Sequence, residues 1–121
     1  MFNWIDYLRI AKRLIADFPS DEAALRAAVS RSYYAAFNLA KAHLISQNRI
    51  PAFHPRNTHD TVWRMYSSSL SAQELRIGQA GYRLRNLRNI ADYEMTFPNL
   101  LRNSFSIVQQ SRQLIVALQA L

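Results

Sequence analysis

Apolar positions recur along this chain every three to four residues, the period of amphipathic helices. Trp4, Leu8, Ala11, Ile15 and Phe18 share one face and predict a first helix over residues 3–17, stopped by Pro19. Ser20 is the predicted cap of a second helix running to about Gln47, with Asp21 and Glu22 placed well against its dipole. On that helix Leu25, Val29, Tyr33, Ala36, Phe37 and Ala40 point inward, and its eight alanines allow neighbouring backbones to come close, so it is expected at the centre. Residues 48–58, NRIPAFHPRNT, have two prolines and no period and read as a loop, ended where Asn57 or Thr58 caps a short third helix through Tyr66. Ser71 and Glu74 form the capping-box pattern of a fourth helix to about Tyr93. Pro98 and Asn99 open a fifth, whose Leu100, Ile107, Val108, Ser111, Ile115 and Leu118 line one face. The expectation is an all-α bundle of four main helices plus one short helix, in one domain spanning residues 1–121.

Composition agrees. Two glycines and four prolines in 121 residues leave little turn material for a sheet protein, and the length suits one core. There is no cysteine, which excludes disulfides, thiolate metal sites and a Cys nucleophile. The longest apolar runs, 33–37 and 114–118, are too short to cross a bilayer, and the opening MFNWIDYLR lacks the pattern of a secretory leader, so the chain reads as cytoplasmic.

The net charge is +7, carried by thirteen arginines against two lysines. Arginine's planar fork grips phosphate bidentately and stacks on bases, so the bias points toward RNA or nucleotide; an acidic protein partner is the alternative. Three arginines fall close together in RLRNLRNIADYE, residues 83–94. At about 100° per residue, Ile77, Ala80, Leu84, Leu87 and Ala91 form the core face, and Gly81, Arg85, Arg88 and Asp92 run along its border. Arg83 lies apart from that stripe. Tyr82, Asn86, Asn89 and Tyr93 occupy the far side, which is richer in amides and rings than solubility requires and suggests a homodimer. Opposite the inward face of the second helix stand Arg31, Tyr34, Asn38 and Lys41, and a polar cleft results if they face Arg88 and Asp92.

The run AAVSRSYYAAFNLAKAHL, followed by His59-Asp-Thr-Val and later by LRNLRNIADYE, resembles the HEPN superfamily (higher eukaryotes and prokaryotes nucleotide-binding), in particular its small single-domain branch with S-R-x-Y-Y-A-x-F and R-x-x-A-D-Y motifs. The likeness spans about residues 20–110. It implies a HEPN-like helical bundle, a dimer with a cleft between protomers, and RNA cleavage or nucleotide and RNA binding in toxin–antitoxin, defence or stress systems, some beside a small nucleotidyltransferase. Active ribonucleases of the superfamily carry an Arg, a polar residue, and a His four to six positions beyond the Arg. Arg88 and Asn89 match the first two, while Tyr93, Glu94 and Met95 stand where the His would fall. Tyr93 is a poor substitute, because a phenol titrates about three pH units above an imidazole.

The resemblance therefore marks Arg88, Asn89 and Tyr93 as catalytic candidates and Arg31, Tyr34, Arg85 and Asp92 as substrate-binding candidates, with no metal or cofactor. Arg88 would hold phosphate, Asp92 would steady Arg88 or Arg31, and Tyr93 would stack or donate a hydrogen bond. The competing reading is a non-catalytic helical module that partners a nucleotidyltransferase or antitoxin, with these residues forming a structural network. Among the histidines, His59 falls near a helix start, where the resembled branch commonly has a histidine, and reads as a partly buried ring satisfying a cap or a backbone carbonyl rather than as catalytic, and His43 reads as packing. Arg49 and His54 have the motif separation but lie in the proline-containing loop. The histidines lack metal-site spacing with acids.

Overall fold

The computed structural model describes residues 1–55 and 57–121 and is all-helical there. Five helices follow in order: α1 Ile5–Asp17, α2 Glu22–Ser46, α3 His59–Ser67, α4 Ala72–Tyr93 and α5 Leu100–Gln119. No described helix is long and apolar enough to cross a membrane.

The 25-residue α2 is the axis of the bundle and touches every other helix, which surround it in the order α1, α5, α4, α3. Leu25, Val29, Tyr33, Ala36, Phe37 and Ala40 are buried as their spacing predicts, and so are Ala28, Ser32, Ala35 and Asn38 on other faces. A helix enclosed on most sides needs small residues wherever a neighbour comes close, and the alanines supply them. α5 contributes Ile107, Val108, Leu114, Ile115 and Leu118 to the same core, whereas α1 buries only Leu8 and Ala11 completely.

Most caps follow the chain's own signals. Thr58 accepts from Thr61 N at 3.2 Å and opens α3; Ser71 accepts from Glu74 N at 3.3 Å and opens α4. Two differ. Asp21, not Ser20, caps α2, accepting from Ala24 N at 3.2 Å. The capping box at Ser71 is only half made, because the Glu74 carboxylate turns away to take Arg49 Nη1 at 2.7 and 3.0 Å. That ion pair pins the chain just after α2 to the start of α4.

The crossing of α3 and α4 is unusually close. Both glycines lie on it, three residues apart: a Cβ on Gly78 would stand 2.8 Å from Ser67 Cα, and one on Gly81 would overlap the Trp63 ring. Trp63 has no exposed surface, so α4 approaches α3 only because position 81 has no side chain.

The far end of α4 is held from a distance. Its last turn contains no basic residue. Arg26 of α2 donates instead, from Nη1 to the carbonyls of Ala91 (3.0 Å) and Glu94 (2.7 Å), and from Nη2 to that of Met95 (3.1 Å). Carbonyls at a helix C-terminus lack intrahelical partners, and a cation there also meets the negative end of the dipole. This contact fixes where Asp92 and Tyr93 sit relative to α2.

Candidate phosphate site

Where α2, α3 and α4 meet, the core changes character. Arg88 is 5 % exposed, deep for a cation, although its wheel position borders the apolar face. Three aromatic rings surround its guanidinium: Cζ lies 5.3 Å from the centroids of both Tyr33 and Tyr34 and 6.0 Å from that of Tyr93. Each such face contributes roughly 0.5–2 kcal/mol toward offsetting the lost hydration.

Hydrogen bonds to Arg88 are sparse. Nη1 reaches Asp92 Oδ2 at 3.4 Å, a long contact within one helix, and that same oxygen also accepts from Ser30 Oγ at 3.3 Å. Arg88 Nε is buried with no acceptor among the described residues, and so is Arg85 Nε. A guanidinium has five N–H donors in a rigid fork, and leaving even one of them, here Nε, unmet in a dry site is costly. Arg88 and Arg85 thus each keep a buried donor that has no partner among the described residues.

His59, the first residue of α3, reaches this cluster through a buried relay. Its Nδ1 lies 2.7 Å from Tyr33 Oη, which in turn accepts from Trp63 Nε1 at 2.9 Å. The imidazole stacks on Phe37 at 4.1 Å between centroids and 26° between planes, with Tyr34 edge-on at 5.7 Å. Burial, then the positive charges of Arg88, Arg85 and Lys41, lower its pKa from 6.5 to about 4, so the ring is neutral at pH 7. Burial is also the largest influence on Tyr33, and it raises that phenol well above its ordinary value of 10.

The sequence candidates fare differently. Arg88, Tyr34 and Asp92 come together, and Arg85 is near enough to act on His59 and Tyr33 electrostatically. Tyr93 joins at the rim, its ring 76 % exposed. Arg31 does not pair with Asp92; its guanidinium lies 4.8 Å over the Tyr7 ring and 5.2 Å over the Tyr34 ring, extending the cation–aromatic array toward α1. Asn89 is half-buried and makes no hydrogen bond to Arg88, Asp92 or Tyr93. Lys41 sits 5.5 Å from the Phe37 ring. His43 stacks loosely on Tyr66 at 6.5 Å, a packing role as its position suggests.

His59 and Trp63 are what the sequence reading underweighted. His59 satisfies neither a cap nor a backbone carbonyl but the Tyr33 hydroxyl, 26 residues away. The available signal was the i,i+4 placement of His59 and Trp63 on one face of a short helix, with Gly81 making room beside it.

A groove of about 550 Å³ between α4 and α5, lined in part by Arg76, Arg83, Gln110 and Gln113, lies away from this cluster. Its lining includes none of the buried unpartnered side-chain atoms, two of which are Arg85 Nε and Arg88 Nε. Among the described residues no three His, Cys, Asp or Glu side chains gather as metal ligands.

Comparison of the chain with protein-family models, with curated proteins and with solved structures found no match.

Proposed function

We propose that this chain is a HEPN-like domain that binds RNA or nucleotide through phosphate at the cleft walled by Arg88, Arg85 and Tyr34. The observation that carries the reading is the buried Arg88 fork, whose one ion-pair contact among the described residues is a 3.4 Å approach to a carboxylate shared with Ser30. A phosphate oxygen pair meets those donors with the planar, charge-assisted geometry that Asp92 does not supply. Tyr34 and the exposed Tyr93 offer ring faces for a base beside it, and the +7 charge draws polyanions to the surface. A homodimer belongs to this reading: Tyr93, Met95, Leu101 and Phe105 leave apolar surface open around the α4–α5 connection, at 76, 95, 49 and 58 % exposure.

Cleavage in addition to binding requires a base aimed at a ribose 2′-hydroxyl. Tyr93, at the position where the superfamily's histidine falls, points no imidazole into the site.

The second reading, a helical module that docks on a nucleotidyltransferase or antitoxin, draws support from how far Arg88 is already enclosed by three rings and Asp92. In that case Arg88 is an internal strut. Titrating a labelled single-stranded RNA against salt separates the two. Phosphate binding gives affinity that falls steeply and linearly in log–log form with salt, and a shallower slope in Arg88→Ala. A strut gives salt-insensitive behaviour, with Arg88→Ala unfolding the protein.

A further inference from the structure

The ring nitrogen that Tyr33 leaves free decides what His59 does to a ligand. Trp63 Nε1 can only donate, and it lies 2.9 Å from Tyr33 Oη; His59 Nδ1 lies 2.7 Å from the same oxygen. Tyr33 has no exposed surface, so its phenol proton must find an acceptor inside the protein. Among the described residues that acceptor is Nδ1. The reverse arrangement, Nδ1–H donating to the phenol, strands the phenol proton in a dry core. The chain of bonds therefore runs from Trp63 N–H to Tyr33 O–H to His59 Nδ1, and the imidazole's own proton sits on Nε2. That atom has no partner among the described residues and is not one of the buried orphans, so it keeps some exposed surface on the side of the ring away from Tyr33.

We infer that His59 enters the phosphate site as a neutral hydrogen-bond donor through Nε2–H, locked in that form by Trp63 and Tyr33, so that the site holds a phosphate without cleaving its ester. This rests on the phosphate-binding reading above. A general base needs a lone pair facing the substrate, and here the lone pair faces the core. Charging the ring is resisted as well, since an imidazolium would place two protons between Nδ1 and a phenol oxygen that already accepts from the indole. The charges around the ring act in the same sense: Lys41 on α2 and Arg85 and Arg88 on α4 all oppose a cation at His59. The nearby acids are engaged elsewhere, Asp60 by Tyr82 and Arg64 and Asp92 by Arg88 and Ser30. The ligand class is a phosphodiester or a terminal phosphate, met by an Arg fork and one uncharged N–H.

The tautomer is read directly by long-range proton–nitrogen correlation spectra of the ¹⁵N-labelled wild-type protein at pH 7, alone and with inorganic phosphate, a mononucleotide or a short oligoribonucleotide. The expected result is an Nε2–H ring whose Nε2 signal moves on addition of the probe; which of the three probes moves it most distinguishes an internal phosphodiester from a terminal phosphate. His59→Ala is expected to weaken oligoribonucleotide binding about 5- to 20-fold, and His59→Gln, whose amide donates from nearly the same place, to stay within about threefold of wild type. An Nδ1–H ring, an imidazolium at pH 7, or EDTA-resistant cleavage of the oligoribonucleotide lost in His59→Ala overturns the inference. If wild type binds through Arg88 while His59→Ala binds equally well, the donor role alone is refuted. If wild type binds none of the probes, the phosphate-binding reading is refuted and the donor role with it.

Discussion

Replacing Gly81 by alanine tests the packing on which the His59 relay depends. At an exposed mid-helix position the change would stabilise α4 by about 1 kcal/mol, because alanine is the better helix former. Here the added Cβ would lie 2.6 Å from Trp63 Cε2 and nearer still to two other ring atoms, closer than real carbon contacts. Trp63 is enclosed on all sides, and moving it stretches the 2.9 Å bond to Tyr33. Overpacking of this kind costs about 1–3 kcal/mol, and a buried indole N–H left without an acceptor costs about 1–3 kcal/mol more. After the helix-propensity gain, the net loss is about 3 kcal/mol. For a chain of this length that corresponds to a fall of roughly 10 °C in Tm. The assay is thermal unfolding followed by far-UV circular dichroism, together with the indole N–H resonance of Trp63, which should shift. A Tm that rises by a few degrees with the indole signal unmoved would show that α3 and α4 do not cross as closely as described, and the relay from Trp63 to His59 would lose its basis.

Other expectations follow from particular contacts. Arg26→Ala should destabilise the fold by about 2 kcal/mol and speed amide exchange in the last turn of α4, because the carbonyls of Ile90, Ala91, Glu94 and Met95 lose a charged donor; Arg26→Lys should recover only part of this. His59 binds its proton more weakly in the folded chain than in the unfolded one, so its contribution is complete above pH 6.5 and lost as the pH falls toward about 4. Urea titrations across that window should show a decline of about 1–2 kcal/mol for this half-exposed ring, absent in His59→Gln. Asp92→Asn removes the carboxylate paired with Arg88, which on the phosphate reading is a competitor for the guanidinium. It should lower stability by about 1 kcal/mol and tighten RNA binding several-fold, whereas weaker binding would make Asp92 part of the ligand site.

Much of the architecture is written locally, and so could be read from the chain. The five helices, the caps at Thr58 and Ser71 and the inward face of α2 all rest on spacings of three or four residues and on near-neighbour hydrogen bonds. Ser20 and Asp21 are adjacent and equally good capping residues, and only the actual turn into α2 chooses between them. What stayed hidden is long-range. A helical wheel places Arg88 at the border of one helix's face, but its burial comes from Tyr33 and Tyr34, more than fifty positions earlier. Arg26 looks like an ordinary i,i+4 partner of Glu22, which it is at 3.2 Å, and nothing local signals that it also closes the end of α4. The histidine sought near Tyr93 illustrates the same point, since the imidazole that feels the charge of Arg88 comes from the start of α3. The two glycines, three residues apart in a long helix, were the one local mark of the close crossing that makes this possible.

The central claim is that the buried guanidinium of Arg88 is a phosphate site. It is tested most directly by the affinity of Arg88→Lys for a fluorescein-labelled single-stranded RNA at fixed salt, beside wild type and with folding checked by circular dichroism. Lysine keeps the charge and loses the fork. The expected result is a folded variant that binds at least about tenfold more weakly than wild type. A folded Arg88→Lys protein that binds as tightly as wild type would contradict the account.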